Sequence, residues 1–552
     1  MTLRRIRFIM AATAALCLAQ TPSLASQTPT DRADPSVIEE ELPDRQVPAP
    51  KPNEPLSIEP GHQPDVAVPG GVVAGAILDE GAEALPASAF APVISSYAGR
   101  TLAHADLQAL VTDIANVARE AGFGLATAWI PPQRVMSGVL RVRLDLGRVD
   151  AIEAKGDAAE VARRLLAPLA DGRPLRTAEL ERSLLVAGDI AGVWVGSARL
   201  ERRGERNILH VETRRDRVRG RAYLDNWGSS TVGPVNLSTL IDINGVLADD
   251  DQLMLGGVIT PFSPEEFQLV RAGYSKALGL QGTLLSLGGY AAWSEPGGVL
   301  SGRDVDSSSY QGSIDVLHPL LRSRAASLWG KVEFALRDAT QKRTGDITRD
   351  DRVAKITASA LGVANIGEGR VRGLLAVVQG TGAFDATREG DPDASRPDGS
   401  AIFTKVELWA EYRRPLGGRF SLQLEAQGQV ASRALLSSEE MGLGGRNFLR
   451  SFDYREASGD KGIAGSAELR FDLKKLPAPI ETAQLYGYID AGSVGNYSDG
   501  RGGATLASAG GGVRFDLSDI SAGVELGIPL TDSPFSDGDR DPRLSFTIST
   551  RF

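Results

Sequence analysis

Cysteine is nearly absent from this chain of 552 residues, since Cys17 is the only one. It lies in a stretch with the features of a secretory signal peptide, so we predict a mature chain without cysteine. Such a chain holds no disulfide and no thiolate metal site, which excludes the disulfide-stapled class of exported domains. Its fold must therefore depend on packing and hydrogen bonds.

Histidine is also scarce, and the motifs of common catalytic sites are missing. The four histidines are His62, His104, His210 and His318. The sequence contains no G-x-S-x-G nucleophile elbow, no H-E-x-x-H zinc motif and no G-x-x-x-x-G-K-[ST] phosphate loop. We predict that the protein is not an enzyme and that it uses no cofactor and no metal.

Long apolar runs are absent after the first 25 residues. Residues 8–19 are apolar, follow Arg4, Arg5 and Arg7, and precede the small residues of Ser23-Leu24-Ala25. This order predicts a signal peptide over residues 1–25. No later run reaches the roughly 18 residues of a membrane helix. Two classes remain, a soluble exported protein and an outer-membrane β-barrel, because barrel strands alternate and average to neutral hydropathy.

Positive charge is not in excess, since 60 Lys and Arg face 70 Asp and Glu, for a formal net charge of −10. An acidic chain is a poor general binder of nucleic acid, so we expect no nucleic-acid partner. Prolines and acidic residues are concentrated in residues 26–71, a composition that cannot bury a core. We predict a tail or linker there, in which residues 35–42 could form a short helix.

Two α+β modules are predicted next, over residues 72–149 and 150–216. In the first, apolar residues recur every three or four positions in TLAHADLQALVTDIANVARE, and Gly122 suits a helix end. VLRVRLDLG follows with strict alternation, which indicates a strand. The second module repeats the order, with two helical segments before the strands GVWVGSARLERRG and NILHVETRRDRV.

Residues 217–552 show segments of about ten residues with period-two alternation, separated by turn residues. Each segment has one apolar and one charged or polar face, as in SLWGKVEFALR, AELRFDL and RLSFTISTRF. A soluble β-sandwich, β-helix or propeller also alternates, but the strongly charged second face and the final aromatic Phe552 favour a membrane barrel. Roughly 20 residues per strand and connection predict an all-β transmembrane barrel of about sixteen antiparallel strands.

These features resemble the outer-membrane transporters of two-partner secretion, the hemolysin and filamentous-hemagglutinin exporters of the POTRA-plus-barrel superfamily (POTRA, polypeptide-transport-associated). The resemblance identifies the two modules as POTRA 1 and POTRA 2. It follows, in this order, the segments YAGRTLAHADLQALVTDIANVAREAGFGLATAWIPPQRVMSGVLRVRLDLGRVDAIEAKG, YLDNWGSSTVGPVNL, HPLLRSRAASLW and LGGRNFLRSFDYREASGDKGIAGSAELRFDL.

The last of these segments resembles the family's sixth extracellular loop, which begins here with Gly444 and Gly445. The resemblance implies that the loop folds into the lumen and that an arginine of its Leu449-Arg450-Ser451-Phe452 motif reaches an aspartate on the wall. The wall motif reads Tyr488-Ile489-Asp490-Ala491-Gly492, and alternation directs Tyr488 and Asp490 to the lumen.

We expect Arg450 and Asp490 to form a latch shielded by Phe452. Ser451 replaces the family's glycine, so either the turn differs or strain is stored. The alternative is that Arg450 is a solvated loop arginine.

The resemblance implies a translocator that recognises an unfolded partner exoprotein in the periplasm and secretes it through the barrel. The client could be an adhesin, a cytolysin or a contact-dependent toxin. The other partners would be outer-membrane lipid and the barrel assembly machinery, for which Phe552 is the candidate assembly signal. Two alternatives remain open: an assembly factor for other barrels, and a passive porin or receptor. The tail would be a plug helix or a solvated spacer.

Overall fold

A computed structural model describes the chain over residues 32–38, 56–58, 66–81, 83–135, 138–203, 206–474, 476–497, 503–533 and 540–552. The predicted signal peptide, residues 1–25, and most of the predicted tail lie outside these residues. Two elements of the tail are described, the helix α1 (Pro35–Ile38) and the strand β1 (Leu56–Ile58). Over the described ranges, no helix has the length and apolar character needed to cross a membrane.

The first module packs two helices against a three-stranded sheet of order β3-β6-β5. The long helix α3 buries Leu107, Leu110, Val111 and Ile114 against this sheet, as its periodicity predicts. Val66 and Val68 join the same core, so packing begins a few residues before the predicted boundary at 72. The elements are β2 (Val72–Val73), β3 (Ala76–Glu80), α2 (Ala91–Tyr97), β4 (Thr101–Leu102), α3 (His104–Glu120), β5 (Thr127–Trp129) and β6 (Val139–Asp145).

The second module has a four-stranded sheet of order β1-β8-β9-β7. Its elements are β7 (Ala151–Lys155), α4 (Ala159–Leu166), α5 (Thr177–Asp189), β8 (Val193–Arg203) and β9 (Arg206–Arg215). β1 pairs in parallel with β8, with Ser57 opposite Arg199. No strand was predicted in the tail. The strand β1 forms there because the edge of β8 offers unpaired backbone groups to an extended segment.

The rest of the chain forms a closed barrel of sixteen antiparallel strands, which confirms the predicted fold. A short hairpin, β21 (Met441–Leu443) and β22 (Ala457–Gly459), lies within one loop and is not part of the wall. The wall strands are β10 (Val218–Asp225), β11 (Asn236–Asn244), β12 (Asp251–Ile259), β13 (Gln268–Leu278), β14 (Thr283–Ser294), β15 (Val305–Arg322), β16 (Ala326–Arg343), β17 (Asp346–Ile366), β18 (Gly369–Thr381), β19 (Thr404–Gly417), β20 (Phe420–Ala431), β23 (Lys461–Asp472), β24 (Thr482–Gly495), β25 (Ala504–Leu517), β26 (Ile520–Pro529) and β27 (Arg543–Arg551).

Side chains alternate along the wall strands between an apolar exterior and a polar interior. On β24, Leu485 and Ile489 are exposed on the outside, whereas Tyr486, Tyr488 and Asp490 are buried inside. The pattern recurs on other strands, and it is the arrangement that lipid outside and a polar lumen inside require.

The barrel closes between its first and last wall strands, β10 and β27. Residues 221–225 pair with 547–551. Beyond this ladder, the Gly220 amide donates to the Phe552 carbonyl at 2.7 Å, and the Phe552 amide donates to the Gly220 carbonyl at 3.1 Å. A Cβ atom at residue 220 would lie 2.1 Å from the Phe552 ring, so this close approach requires glycine. Phe552 thus lies at the seam, and its role as an assembly signal stays a prediction.

The second module contacts the turns at one end of the barrel. Arg322 of β15 forms a two-pronged ion pair with Asp189 of α5, at 2.7 and 2.8 Å. Arg164 of α4 contacts Asp250, beside the turn between β11 and β12, at 2.8 Å. We refer to this as the module end of the barrel and to the opposite end as the far end.

A charge on the lipid face should destabilise the barrel according to its depth. Leu375 lies midway along β18 and is 49% exposed. We expect Leu375→Arg to cost about 2–4 kcal/mol and Ile347→Arg, beside the far-end turn of β17, about 0–1 kcal/mol. Urea unfolding in lipid vesicles measures both. Equal costs at the two positions would contradict a membrane-spanning wall.

Candidate functional site in the barrel lumen

The loop between β20 and β23, residues 432–460, lies inside the barrel, and we call it loop 6. Its hairpin β21–β22 packs against wall strands β23 and β24. An apolar cluster fixes it there, in which loop residues meet the wall residues Ala464, Val494 and Leu506. The loop members of the cluster are Met441, Leu443, Phe448, Leu449, Phe452 and Ala457. Phe452, predicted to shield the latch, is buried in this cluster.

Two glycines allow loop 6 to reverse its direction. Gly444 and Gly445 have φ values of +104° and +98°, which side chains disfavour. A Cβ atom at residue 444 would also lie 2.1 Å from the Asp453 carbonyl oxygen. The left-handed residue of the arginine motif is Leu449, with φ +61°, and not Ser451. Serine is therefore accommodated without a left-handed backbone.

Arg450, at the tip of loop 6, contacts Asp490 through three hydrogen bonds. Its Nε donates to Oδ2 at 3.1 Å, its Nη2 to Oδ1 at 3.2 Å and its backbone amide to Oδ2 at 3.3 Å. Asp490 is completely buried, and Arg450 is nearly so. The structure thus brings together the two residues that the motif comparison paired, and the fork geometry favours such a contact.

Two more carboxylates, which were not predicted as partners of Arg450, contact the same guanidinium. Nη1 of Arg450 lies 2.9 Å from Glu468 on β23 and 3.3 Å from Glu525 on β26. Glu468 also pairs with Arg470 and Arg514. Alternation placed Glu468 on the polar face, but only the path of the loop decides which cation it meets.

Tyr488 of the wall motif provides the surface on which Arg450 lies. The guanidinium carbon is 3.4 Å from the ring centroid, a cation–π arrangement. The ring extends sideways over glycines of neighbouring strands, where Cβ atoms at Gly510 and Gly527 would lie 2.5 and 2.8 Å from its hydroxyl. Gly512 accommodates Tyr486 in the same way. The ring that lies against the Arg450 guanidinium is thus that of Tyr488, whereas Phe448 and Phe452 of loop 6 pack in the apolar cluster.

Gly492, the last residue of the wall motif, makes room for loop 6. A Cβ atom there would lie 3.0 Å from Leu443 and 3.2 Å from Ala464. The wall motif therefore combines a ring that supports Arg450, a carboxylate that binds it and a flat position against which the loop packs.

A segment of the tail also lies in the lumen, against loop 6. All four residues of α1 are buried, and Arg32 just before it is fully buried. Arg32 pairs with Glu456 at 2.9 Å and Asp453 at 3.3 Å, both in loop 6. The Tyr454 hydroxyl donates to the Val37 carbonyl. The short helix considered for residues 35–42 thus exists over Pro35–Ile38 and fills part of the lumen.

A cavity of about 770 Å³ lies below this site, toward the module end. Arg450, Tyr486 and Arg514 line its inner part, and Thr482, Asp516 and Ser521 lie near the turns. Loop 6 therefore separates a space that faces the modules from the far end of the barrel.

Removing the Arg450 charge should loosen loop 6 because three buried carboxylates lose a cation. Breaking one member of a buried pair costs roughly 3–5 kcal/mol, less if water enters. We expect Arg450→Ala to expose loop 6 to limited proteolysis while the barrel stays folded. Arg433→Ala is the matched control, since its pair with Glu389 lies at the surface of the same loop region. Equal protection of the loop in both variants would contradict this role of Arg450.

Two protein-family models match this sequence. The model described as haemolysin secretion/activation protein ShlB/FhaC/HecB matches residues 204–515, and the one described as POTRA domain, ShlB-type, matches residues 76–147. The second match lies within the first module.

The individual relatives are distant in sequence, but the matches to them cover most of the chain. The chain is 22% identical over 419 residues to the heme/hemopexin transporter protein HuxB of Haemophilus influenzae, with 74% of each chain covered. It is 23% identical over 535 residues to the outer membrane transporter CdiB of Escherichia coli, with 93% of this chain and 89% of that protein covered.

The solved structure of CdiB from Escherichia coli matches with a TM-score of 0.76 at 20% identity, over 96% of this chain and 100% of that one. CdiB from Acinetobacter baumannii matches with a TM-score of 0.63 at 16% identity, over 99% and 97%. These structures establish a shared fold, and the family match covers more than half of this chain. The protein therefore belongs to the haemolysin secretion/activation family ShlB/FhaC/HecB, outer-membrane transporters that secrete a partner exoprotein and hold their POTRA domains in the periplasm.

Proposed function

We propose that this transporter conducts one unfolded exoprotein through the barrel lumen after loop 6 and α1 have moved aside. The proposal rests on one observation, which is that loop 6 and α1 fill the lumen without being part of its wall. Loop 6 and α1 are held by side-chain contacts with the wall and with each other, and neither is a wall strand. Both can leave without breaking the sixteen-stranded ladder, which a conduit for an extended chain requires.

Arg450 acts in this proposal as the latch that holds loop 6 in its resting position. Its guanidinium is shared among Asp490, Glu468 and Glu525 on three wall strands. Removing one partner of such a contact leaves a buried charge without compensation, which is strongly unfavourable. The latch therefore holds loop 6 in one closed position, and its release requires these ion pairs to break.

The contacts of Arg32 support a joint movement of α1 and loop 6. Asp453 and Glu456, which hold Arg32, belong to the same loop that carries Arg450. Displacement of loop 6 breaks these pairs and frees the tail segment, whereas departure of the tail leaves two loop carboxylates without this cation. We propose that the two segments clear the lumen together.

Client recognition takes place, in this proposal, at sheet edges of the periplasmic modules. A strand added to an edge gains affinity from main-chain hydrogen bonds, so it tolerates many sequences. β8 supports the idea, because it already pairs in parallel with β1 of the chain's own tail. A client that replaces β1 at this edge would lie beside the module end of the barrel. The cavity below Arg450 would then receive it.

The two other functions explain less of the molecule. A passive porin accounts for the barrel but gives no reason for the two modules and their contacts with the barrel turns. An assembly factor for other barrels shares the superfamily, but the family match supports the exporter. We also propose that transport proceeds without catalysis. Arg450 and its carboxylates hold loop 6 and belong to none of the catalytic motifs that were sought in the sequence.

The latch predicts a secretion defect without an assembly defect. We expect Arg450→Ala to reduce secretion of the client at least about tenfold, because the contact holds loop 6 in one defined state while the conduit is formed. A loss of about 1.4 kcal/mol or more lowers the population of that state relative to others by such a factor. The amount of folded barrel in the outer membrane should not change, and Arg433→Ala should secrete normally. The gene beside this one is the first candidate for the client.

Secretion and conductance measured together separate transporter from porin. Release of a client into the medium only when this protein is present supports the transporter. Steady conductance in planar bilayers without export of any client would overturn the proposal. Normal secretion by Arg450→Ala would exclude the latch role of Arg450 and leave the transporter function intact.

The proposed use of the β8 edge can be tested with a disulfide, because the only native cysteine is Cys17. Ser57 and Arg199 are direct partners across β1 and β8. We expect the double variant Ser57→Cys, Arg199→Cys to lose secretion when oxidised and to regain it on reduction, since the bond holds β1 at the edge. Each single cysteine variant is the control. Secretion by the oxidised double variant would exclude this edge.

A further inference from the structure

Three cations on a different part of the wall from the latch converge on one carboxylate of loop 6. The carboxylate is Glu439, which lies in a single helical turn, Ser437–Glu439, and is 1% exposed. Arg337 of β16, Lys355 of β17 and Lys405 of β19 supply the cations. None of these four residues belongs to the Arg450 cluster, which lies on β23, β24 and β26.

The contacts are close and surround the carboxylate. Lys355 Nζ is 2.7 Å from Oε1, Lys405 Nζ is 3.0 Å from Oε2, and the Arg337 guanidinium contacts Oε1 directly. Lys405 and Gln429 also donate to the main-chain carbonyl of Glu439, both at 3.0 Å. The arrangement is a built pocket for a carboxylate attached to a peptide backbone.

The cations and the carboxylate differ in how they are attached to the fold. Arg337, Lys355 and Lys405 project from wall strands, whose ladder does not include loop 6. Glu439 belongs to loop 6, the segment that leaves its position in the proposed function. Departure of the loop removes Glu439 from the three cations, whereas Glu407 of β19 stays 2.8 Å from Lys405. The site then keeps its donors and a local positive charge that attracts another carboxylate.

We infer that Arg337, Lys355 and Lys405 form a binding site for Asp and Glu side chains of the client in transit, which Glu439 occupies at rest. The inference rests on the proposed function and adds the chemistry of one site to it. A client carboxylate on an extended backbone reproduces the groups that Glu439 presents, an acid and a neighbouring carbonyl. Lysine ammonium groups suit this exchange because they accept a carboxylate from many directions.

The place of the pocket fits a role late in transit. Lys405 is the second residue of β19, counted from the far end of the barrel, which faces the outside of the cell. Lys355 and Arg337 also lie in the far halves of their strands. An acidic client segment that has passed the latch reaches these cations next and competes with Glu439, which favours the open position of loop 6.

Peptide binding to the purified full-length protein in detergent tests the site. Two labelled unfolded peptides of equal length are compared, one with spaced glutamates and one with glutamines at the same positions. We expect E439Q to bind the glutamate peptide roughly tenfold more tightly than the unchanged protein, because the internal competitor is gone. E439Q combined with K355Q and K405Q should lose this gain, and the glutamine peptide should respond to neither change.

Glu333→Gln is the matched control, since Glu333 also lies on β16 and pairs with Lys331 outside the pocket. Heat-dependent mobility in gels verifies the fold of each variant, and E439Q combined with K355Q replaces the triple variant if that one fails to fold. Equal binding of the two peptides, or equal binding by E439Q with and without the lysines, overturns the inference. Displacement of the peptide by inorganic phosphate at equal concentration also overturns it, because the site would then take any small anion.

Secretion by the same variants separates this inference from the proposed function. Normal export together with unchanged peptide binding in E439Q overturns the client site and leaves the transporter intact. Absence of export from the unchanged protein overturns the transporter, whatever the peptides do.

Discussion

The closing of the barrel lumen by loop 6 depends on charges that are buried away from bulk water and therefore need partners. Arg450 is surrounded by Asp490, Glu468 and Glu525, and the strength of these contacts comes from the low polarity of the filled lumen. Water that enters the lumen would weaken each pair, because charges attract each other less strongly in a medium of higher dielectric constant.

Loop 6 holds its position through partners of both signs on different sides of the lumen. Its cation Arg450 meets acids on β23, β24 and β26, and its acid Glu439 meets cations on β16, β17 and β19. The tail adds Arg32, which binds two further acids of the loop. A purely apolar plug would exclude water equally well. Charged contacts differ in that a passing polypeptide carries equivalent groups, and the client site that we propose depends on this exchange.

The sequence predicts the barrel well, because period-two alternation is a local pattern. Alternation also directs Asp490 inward, and the resemblance of the motif around Arg450 to that of the transporter family supplies its partner. The sequence predicts much less about the surroundings of that pair. Glu468 is on the expected face, but the cation it meets depends on how loop 6 crosses the lumen. β1 escapes notice because its three residues lie in a proline-rich tail and gain their strand only from the distant edge of β8.

Tyr486 and Tyr488 occupy little of the passage, although they are large side chains on its inner surface. Their rings lie along the wall over Gly510, Gly512 and Gly527, where any side chain would push them inward. In the open state that we propose, withdrawal of loop 6 leaves this part of the barrel with a shallow lining in place of protruding rings. The glycines of β25 and β26 thus keep space free in the lumen by giving the two rings room along the wall.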